Sequence, residues 1–153
     1  MELVRGPMTD GAVREISTWT YGGAYAIYSE SSYEEKAAAG SALLDPERQG
    51  QFACFYLGDL LAGYIRLRDE GDRVIFGIAL RPDFCGRGYG QRMTRQAIAL
   101  SRERHPGKPL CLTVRAWNGR AIRCYEKAGF RKTGERELVT PLGPGRFVVM
   151  EAR

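Results

Sequence analysis

Three glycines alternate with other residues in the segment Cys85-Gly86-Arg87-Gly88-Tyr89-Gly90. The apolar run 74–80 before this segment is typical of a buried strand, and apolar residues at helical spacing follow it. Glycine lets the backbone turn tightly and leaves its amides open, and the amides of a helix's first turn attract phosphate. The segment therefore predicts a strand-to-helix turn that binds a phosphate or pyrophosphate. A glycine-rich connection that binds nothing is the alternative.

The spacing of these glycines excludes two common phosphate-binding motifs. A P-loop carries Lys-Ser or Lys-Thr after its last glycine, and neither pair follows here. The dinucleotide motif has the spacing Gly-x-Gly-x-x-Gly, whereas Gly86, Gly88 and Gly90 alternate strictly. The expected ligand is therefore neither a P-loop nucleotide nor NAD.

A second motif runs from Asn118 to Phe130, and together with the glycine turn it resembles the GNAT superfamily of N-acetyltransferases. The pyrophosphate signature of that family, Gln/Arg-x-x-Gly-x-Gly/Ala, is matched at Gly88 and Gly90. The later motif, Asn-x-x-Ala-x-x-x-Tyr-Glu-Lys-x-Gly-Phe, is matched at Asn118, Ala121, Tyr125, Glu126, Lys127, Gly129 and Phe130. The resemblance covers residues 51–137 well and implies transfer of an acetyl group from acetyl-CoA to a primary amine.

The resemblance implies roles for residues of both motifs. The amides from Cys85 to Gly90 would bind the pyrophosphate of acetyl-CoA, and the pantetheine arm would lie along residues 78–80, where two parallel strands splay. Tyr125 would protonate the departing thiolate, a task that suits a phenol. The implied cofactor-binding residues are Ile78, Ala79, Leu80, Cys85, Gly86, Arg87, Gly88, Tyr89, Gly90, Asn118, Ala121 and Tyr125. The alternatives are a helix cap for Asn118 and a core aromatic for Tyr125.

Cys85 stands where the family usually has Gln or Arg, which puts one side-chain contact to the cofactor in question. A thiol near a helix N-terminus has its thiolate favoured, so Cys85 is a candidate for a reactive cysteine that bound cofactor shields. A small buried residue is the alternative. No general base is assigned, because the strand 74–80 has no carboxylate, and Glu70, Asp72 and Asp83 are nearby in sequence.

Aromatic residues are dense between positions 19 and 33. Tyr21, Tyr25 and Tyr28 are candidate walls of an acceptor pocket, because tyrosine combines an apolar ring with a polar tip; core packing is the alternative. The same segment has few carboxylates, so a polycationic acceptor is not especially favoured. The expected acceptor is a small-molecule or peptide amine. A module that senses acetyl-CoA without turnover is the second function class.

Composition and charge limit which classes of protein this chain can belong to. The chain has 153 residues and a formal net charge of +5, with acidic residues among the basic ones and no basic run, so nucleic acid is not an expected partner. No segment has the length of a membrane span. Four widely spaced cysteines without a CxxC pair indicate reduced thiols in the cytoplasm, with no metal site. The sequence leaves open whether the protein forms a homodimer.

The expected elements give an α+β fold of one domain, residues 1–153. Helices are expected after Thr9 or Asp10, over 33–44, 88–104 and 118–127, and strands over 2–5, 51–57, 60–68, 74–80, 110–114, 130–139 and 146–151. The strand, helix and strand from 74 to 114 predict parallel pairing. The result is a mixed, mostly antiparallel sheet of about six or seven strands with about four helices. The resemblance adds a splayed parallel pair at the acetyl-CoA site.

Overall fold

The computed structural model describes residues 2–153 and forms seven strands and four α-helices over them. The strands are β1 (Val4–Pro7), β2 (Phe52–Leu57), β3 (Leu60–Asp69), β4 (Val74–Leu80), β5 (Leu110–Arg115), β6 (Arg131–Thr140) and β7 (Gly143–Ala152). The α-helices are α1 (Asp10–Ile16), α2 (Tyr33–Ala39), α3 (Tyr89–Arg104) and α4 (Gly119–Ala128). Short 3₁₀ helices cover Gly23–Tyr28, Ala42–Leu44, Gln49–Gln51 and Pro82–Phe84. The expected α+β class is confirmed.

The strands form one sheet in the order β1-β2-β3-β4-β5-β7-β6. The pairs β1–β2, β2–β3, β5–β7 and β6–β7 are antiparallel. β4 and β5 are parallel, with Val74 opposite Leu110 and Ile75 opposite Cys111. A parallel pair needs a crossover connection, and α3 supplies it. The mostly antiparallel sheet with one parallel pair is therefore confirmed.

The chain divides into two compact units. Unit 1 holds the residues up to Arg66 together with Ile78–Tyr89, and unit 2 holds Leu67–Gly77 together with Gly90–Arg153. The core of unit 1 includes Met8, Ala12, Val13, Ile16, Trp19, Phe52, Cys54 and Leu61. The residues buried in unit 2 include Val74, Phe76, Met93, Ala97, Leu110, Leu112, Phe130 and Met150.

Polar caps fix where α1 and α2 begin. The Thr9 hydroxyl accepts a hydrogen bond from the Ala12 amide at 3.1 Å, which confirms a cap at this position. Ser32 and Glu35 form a reciprocal capping box at the start of α2. Gly40 then adopts φ +67° and ends the helix at Ala39, so the prediction of a helix as far as residue 44 is wrong.

A β-bulge in β3 changes which of its residues share a face. The pairing of β2 with β3 skips Ala62, and an unpaired residue reverses the alternation beyond it. Leu61 therefore lies in the core of unit 1, with Tyr64 packed against the same cluster. Strict alternation along the expected strand 60–68 would place Leu61 on the same face as Ile65 and Leu67, and the bulge prevents this.

The terminal strands also differ from the prediction. β1 begins at Val4 rather than Glu2. β7 begins at Gly143, which pairs with Thr140, so the connection between the expected strands 130–139 and 146–151 shortens to a two-residue hairpin loop. Within residues 2–153, no helix combines the length and apolar character needed to cross a membrane.

Candidate functional site

The glycine turn of unit 1 has the backbone that its sequence predicts. Gly86 and Gly88 adopt φ +77° and +85°, a region that other residues enter only at a cost. Open space surrounds the position that a Cβ would occupy at either glycine, so a ligand can approach the backbone closely. The turn leads directly into Tyr89, the first residue of α3. Its backbone therefore fits a phosphate group.

Aromatic and basic side chains line the same turn. The Phe84 and Tyr89 rings lie 5.2 Å apart between centroids, and the Arg87 guanidinium lies 5.9 Å from the Phe84 centroid. Arg87 is exposed, so its charge lies beside the turn and in contact with solvent. Cys85 is half-buried, with its Sγ 3.8 Å from the Arg81 carbonyl oxygen. The turn thus carries one cation and one partly accessible thiol.

The carboxyl end of β4 is held in unit 1 by three hydrogen bonds. The Tyr21 hydroxyl donates to the carbonyl oxygen of Leu80. The Arg81 amide donates to the carbonyl oxygen of Ala62 at 2.8 Å, and the Arg81 guanidinium lies 2.7 Å from the Glu15 carboxylate. Residues 78–80 themselves are half-buried. Tyr21, predicted as a pocket wall, therefore contacts the strand predicted to bind the cofactor.

The segment from residue 19 to residue 30 is a loop closed at its base. The Glu30 amide donates to the Trp19 carbonyl at 3.0 Å, and the Tyr21 amide donates to the Ser29 hydroxyl at 2.9 Å. Tyr25 and Tyr28 lie further out, on the 3₁₀ helix, and Tyr28 is 40% exposed. Tyr21 is thus anchored at the base, while the other two predicted wall residues belong to the outer part. A shared pocket wall stays a prediction.

A buried ion pair stabilises the base of this loop, and the sequence analysis missed it. Lys36 is only 4% exposed, and its Nζ lies 3.1 Å from Glu30 Oε1. The Tyr64 hydroxyl donates to Glu30 Oε2 at 3.0 Å. Burial, followed by the nearby Glu30 carboxylate, raises the pKa of Tyr64. No sequence signal marks Lys36 as buried, because it follows two glutamates in a short polar helix.

Asn118 caps α4 in unit 2. Its Oδ1 accepts a hydrogen bond from the Ala121 amide at 3.2 Å, and its side chain is buried. Gly129 ends the same helix at φ +120°. The capping alternative for Asn118 is therefore observed, and its contact with the cofactor arm stays a prediction.

Tyr125 lies on α4 with its ring in contact with two phenylalanines of unit 2. The Phe76 ring approaches edge-on at 6.2 Å between centroids and 82° between planes, and the Phe130 centroid lies 5.9 Å away. Both phenylalanines are buried, while Tyr125 is half-buried. These contacts fix the direction of the ring. Its predicted role as a proton donor stays a prediction.

Metal-binding side chains and a surface pocket were the remaining candidates for a site outside these motifs. Within the described residues, no group of three or more His, Cys, Asp or Glu side chains is placed to hold a metal ion. A pocket of about 410 Å³ in unit 1 is lined by Thr9, Gly11, Ala12, Glu15, Tyr56, Asp59, Leu60, Leu61 and Arg81. None of the predicted cofactor or acceptor residues lines this pocket.

Solved structures with the same fold are acetyltransferases. The ribosomal-protein-S18-alanine N-acetyltransferase from Escherichia coli aligns with a TM-score of 0.69 at 19% identity, over 99% of this chain and 93% of that one. A chimera of the spermidine N-acetyltransferase from Vibrio cholerae aligns with a TM-score of 0.75 at 21% identity, over 99% and 95%. The aminoglycoside acetyltransferase AAC(6')-Ib, solved with acetyl-CoA, aligns with a TM-score of 0.73 at 19% identity, over 97% and 93%. These likenesses show the fold.

Sequence comparison gives closer matches over part of the chain. The aminoglycoside N(6')-acetyltransferase type 1 of Klebsiella pneumoniae is 33% identical over 81 residues, which are 53% of this chain and 39% of that protein. A kanamycin resistance protein of Rhizobium radiobacter has the same identity over 53% of this chain and 73% of its own length. The match thus spans about two fifths of the first of these relatives.

The glycine turn and the motif from Asn118 to Phe130 both lie within the region that the family model matches. The model of the acetyltransferase (GNAT) family matches residues 12–130, which include both α3 and α4. The fold, the turn backbone and this match agree with one another. On these grounds the chain belongs to the acetyltransferase (GNAT) family.

Proposed function

We propose that this protein transfers the acetyl group of acetyl-CoA to a primary amine, and that residues 1–153 act as one acetyltransferase domain. The observation that carries the proposal is the turn before α3, where two left-handed glycines leave the backbone open to a pyrophosphate. Membership of the acetyltransferase family supports the same conclusion. The named relatives act as N-acetyltransferases or confer kanamycin resistance.

In this proposal, the residues of the turn and of the β4 end hold the cofactor. The amides of residues 85–90 bind its pyrophosphate, with Arg87 as a mobile counter-charge, and the backbone of residues 78–80 binds its pantetheine arm. Acetyl-CoA supplies an acetyl group activated as a thioester. The fixed end of β4 supports this assignment, because the hydrogen bonds of Leu80 and Arg81 keep the backbone there in one orientation.

In the ternary complex, the neutral acceptor amine attacks the acetyl carbonyl carbon directly, so that the C–N bond forms and the C–S bond to CoA breaks. Proton transfer to the departing thiolate is assigned to Tyr125. Tyr125 holds a proton on Oη that it gives to the departing thiolate. The amides of residues 78–80 stabilise the charge that develops on the acetyl oxygen. The ring contacts with Phe76 and Phe130 support the role, because they restrict where the hydroxyl can point. The base that removes the amine proton is not assigned.

The acceptor is proposed to bind along the loop from residue 19 to residue 30. Tyr21, Tyr25 and Tyr28 are its proposed contacts, and Tyr21 supports this because it contacts Leu80. Relatives and structural neighbours are named for an aminoglycoside, for spermidine and for a ribosomal-protein alanine as acceptors. None of the four cysteines forms a disulfide bond, which supports the cytoplasm as the proposed compartment.

The test uses purified protein, acetyl-CoA and a panel of amines, with mass spectrometry to detect a gain of one acetyl group. The panel holds aminoglycosides, polyamines, amino acids, lysine peptides and peptides with free N-termini. Acetylation of one class supports the enzyme and assigns its acceptor. Acetyl-CoA binding by calorimetry without acetylation of any panel member favours the sensor alternative. Absence of acetyl-CoA binding contradicts both.

A further inference from the structure

The pocket of unit 1 lies apart from the residues proposed to bind the cofactor or the acceptor. It has a volume of about 410 Å³ and is formed by α1, the β2–β3 hairpin and Arg81. Small-molecule sites commonly have volumes of about 300–1,000 Å³. All of the lining residues belong to unit 1, so one compact body forms the whole cavity.

Apolar and aromatic side chains form part of the pocket wall. Ala12 and Leu61 are buried, and the Tyr56 ring is half-buried. Leu60 lines the same cavity but is 50% exposed. Covering an exposed leucine removes apolar surface from water, which is favourable. The wall can therefore bind the apolar body of a small molecule.

The charge of the pocket is opposite in sign to that of the whole protein. Two carboxylates, Glu15 and Asp59, and one guanidinium, Arg81, line the pocket, whereas the chain has a net charge of +5. Glu15 pairs with Arg81 at 2.7 Å. Within residues 2–153, Asp59 forms no ion pair. A carboxylate without a counter-ion, beside a neutral ion pair, attracts a cation rather than an anion.

The Glu15 carboxylate connects the pocket with the end of β4. The Glu15 side chain is 41% exposed, and a carboxylate accepts several hydrogen bonds, so Glu15 can accept from a ligand as well as from Arg81. Arg81 directly follows Leu80, and its amide donates to the Ala62 carbonyl. A ligand at Glu15 therefore acts on the ion pair that helps to hold the end of β4.

We propose that this pocket binds a small organic cation, with the positive group at Asp59 and Glu15 and the apolar body against Tyr56 and Leu60. The site is regulatory, because the Glu15–Arg81 ion pair couples it to the β4 backbone assigned to the cofactor. It goes beyond the proposed function, and only the coupling concerns acetyl-CoA. The sign of the charge disfavours anions, including the phosphates of the cofactor.

The first experiment compares three probes of similar shape and different charge. Benzylamine, benzyl alcohol and benzoate are titrated without cofactor, and the methyl NMR signals of Leu60 and Leu61 are followed. We expect benzylamine to shift both signals and to bind about fivefold more tightly than the alcohol, as for pairing with an exposed carboxylate. Benzoate should bind most weakly. Equal affinities for amine and alcohol, or no shift with any probe, overturn the proposal.

The second experiment removes the charge of Asp59. Asp59→Asn should weaken benzylamine binding by about fivefold and leave the benzyl alcohol affinity unchanged. Glu47→Gln is the matched control, because it removes another exposed carboxylate of unit 1 that does not line the pocket. Thermal unfolding of each variant checks the fold. Benzylamine affinity that is retained in folded Asp59→Asn contradicts the proposal.

A third variant narrows the pocket without changing its charge. Gly11 lines the cavity, and a Cβ at this position would lie 4.0 Å from the Thr9 hydroxyl oxygen, which is an ordinary contact. Gly11→Leu should fold, because leucine is the better helix former, and should abolish the benzylamine shifts. Gly11→Ala should retain binding. Benzylamine binding that survives Gly11→Leu belongs elsewhere and overturns the proposal.

The coupling is measured with coenzyme A, which has no acetyl group to transfer. Saturating benzylamine should raise its dissociation constant by about fivefold, because the amine competes with Arg81 for Glu15, and coenzyme A should weaken benzylamine by the same factor. Gly11→Leu should remove the effect. Unchanged constants in both directions overturn the regulatory role. If coenzyme A does not bind, the proposed function fails, while the benzylamine titrations still decide the pocket.

Discussion

The hydroxyl of Tyr21 donates a hydrogen bond to the carbonyl oxygen of Leu80. These residues are distant in sequence, and the bond joins the base of the loop after α1 to the last residue of β4. Burial, followed by the proximity of Cys85 and of the Glu30 carboxylate, raises the pKa of Tyr21. Because a raised pKa keeps the proton on the phenol well above neutral pH, the donor persists under physiological conditions.

Replacement of Tyr21 by phenylalanine tests what this bond does. Tyr21→Phe keeps the ring and removes the donor, so we expect the free energy of unfolding to fall by about 1 kcal/mol. We also expect KM for acetyl-CoA to rise, because residues 78–80 lose one constraint. Tyr25→Phe is the matched control and should change neither quantity as much. An unchanged KM in the Tyr21 variant would show that the bond does not position the cofactor strand.

Gly88→Ala tests the backbone of the turn. An alanine at φ +85° is strained by about 1–2 kcal/mol, and relief of this strain moves the amides assigned to the pyrophosphate. We expect a higher dissociation constant for acetyl-CoA by calorimetry and a lower free energy of unfolding by urea titration. Gly134→Ala is the control, because that site is equally open but has no positive φ. Equal binding by both variants would contradict the phosphate assignment.

Tyr125→Phe separates catalysis from binding. Phenylalanine keeps the ring contacts with Phe76 and Phe130, so the fold and the affinity for acetyl-CoA should be unchanged. Loss of the proton donor should lower kcat by about 100- to 10,000-fold. Stopped assays with a validated acceptor give kcat, and calorimetry gives the dissociation constant for acetyl-CoA. A variant with normal kcat would assign Tyr125 to the core alone.

Cys85 is expected to be the thiol that bound cofactor protects. Cys54 and Cys111 are buried, and burial raises the pKa of both and of Cys124, which lowers their thiolate fraction at neutral pH. Iodoacetamide should therefore modify Cys85 first, and acetyl-CoA should slow that reaction. Peptide mass spectrometry reads each site separately, so Cys124 serves as the internal control. Equal alkylation of Cys85 with and without acetyl-CoA would exclude protection.

Stability should fall at alkaline pH, in part because of Cys54. Burial raises the pKa of this thiol from 9.0 to about 11. The unfolded chain therefore releases the proton at lower pH than the folded chain does, so this contribution is intact below pH 9 and is lost between pH 9 and about 11. Urea titrations across this range measure it. Cys54→Ala should be less stable throughout but should lose less on going to high pH; parallel curves would contradict the assignment.

Local sequence signals predicted much of the fold. Thr9, Ser32 and Asn118 are capping residues whose chemistry acts within one helical turn, and each one caps the helix expected of it. The bulge at Ala62 could not be predicted in this way, because it depends on how β3 aligns with β2. Gly40 ends α2 at Ala39, and it is a local signal for helix termination that the expected helix over 33–44 did not include.

Some features of the candidate site could also be predicted from local sequence, and others could not. The left-handed glycines of the turn follow from their residue type, so Gly86 and Gly88 could be anticipated. The ion pair between Glu30 and Lys36 depends on long-range packing that leaves no periodic pattern. The contact of the Arg115 guanidinium carbon with the Phe147 ring, at 5.0 Å from the centroid, likewise depends on the pairing of β5 with β7. Both are contacts that only the assembled strands and loops create.

The closed base of the loop from residue 19 to residue 30 bears on how such a protein diversifies. The hydrogen bonds between Glu30 and Trp19 and between Tyr21 and Ser29 secure the two ends independently of residues 22–28. Insertions there carry a small entropic penalty, about 0.6 kcal/mol for each doubling of length. Residues 22–28 can therefore change in length while the anchored ends keep their positions, and the acceptor contacts proposed for Tyr25 and Tyr28 would change with them.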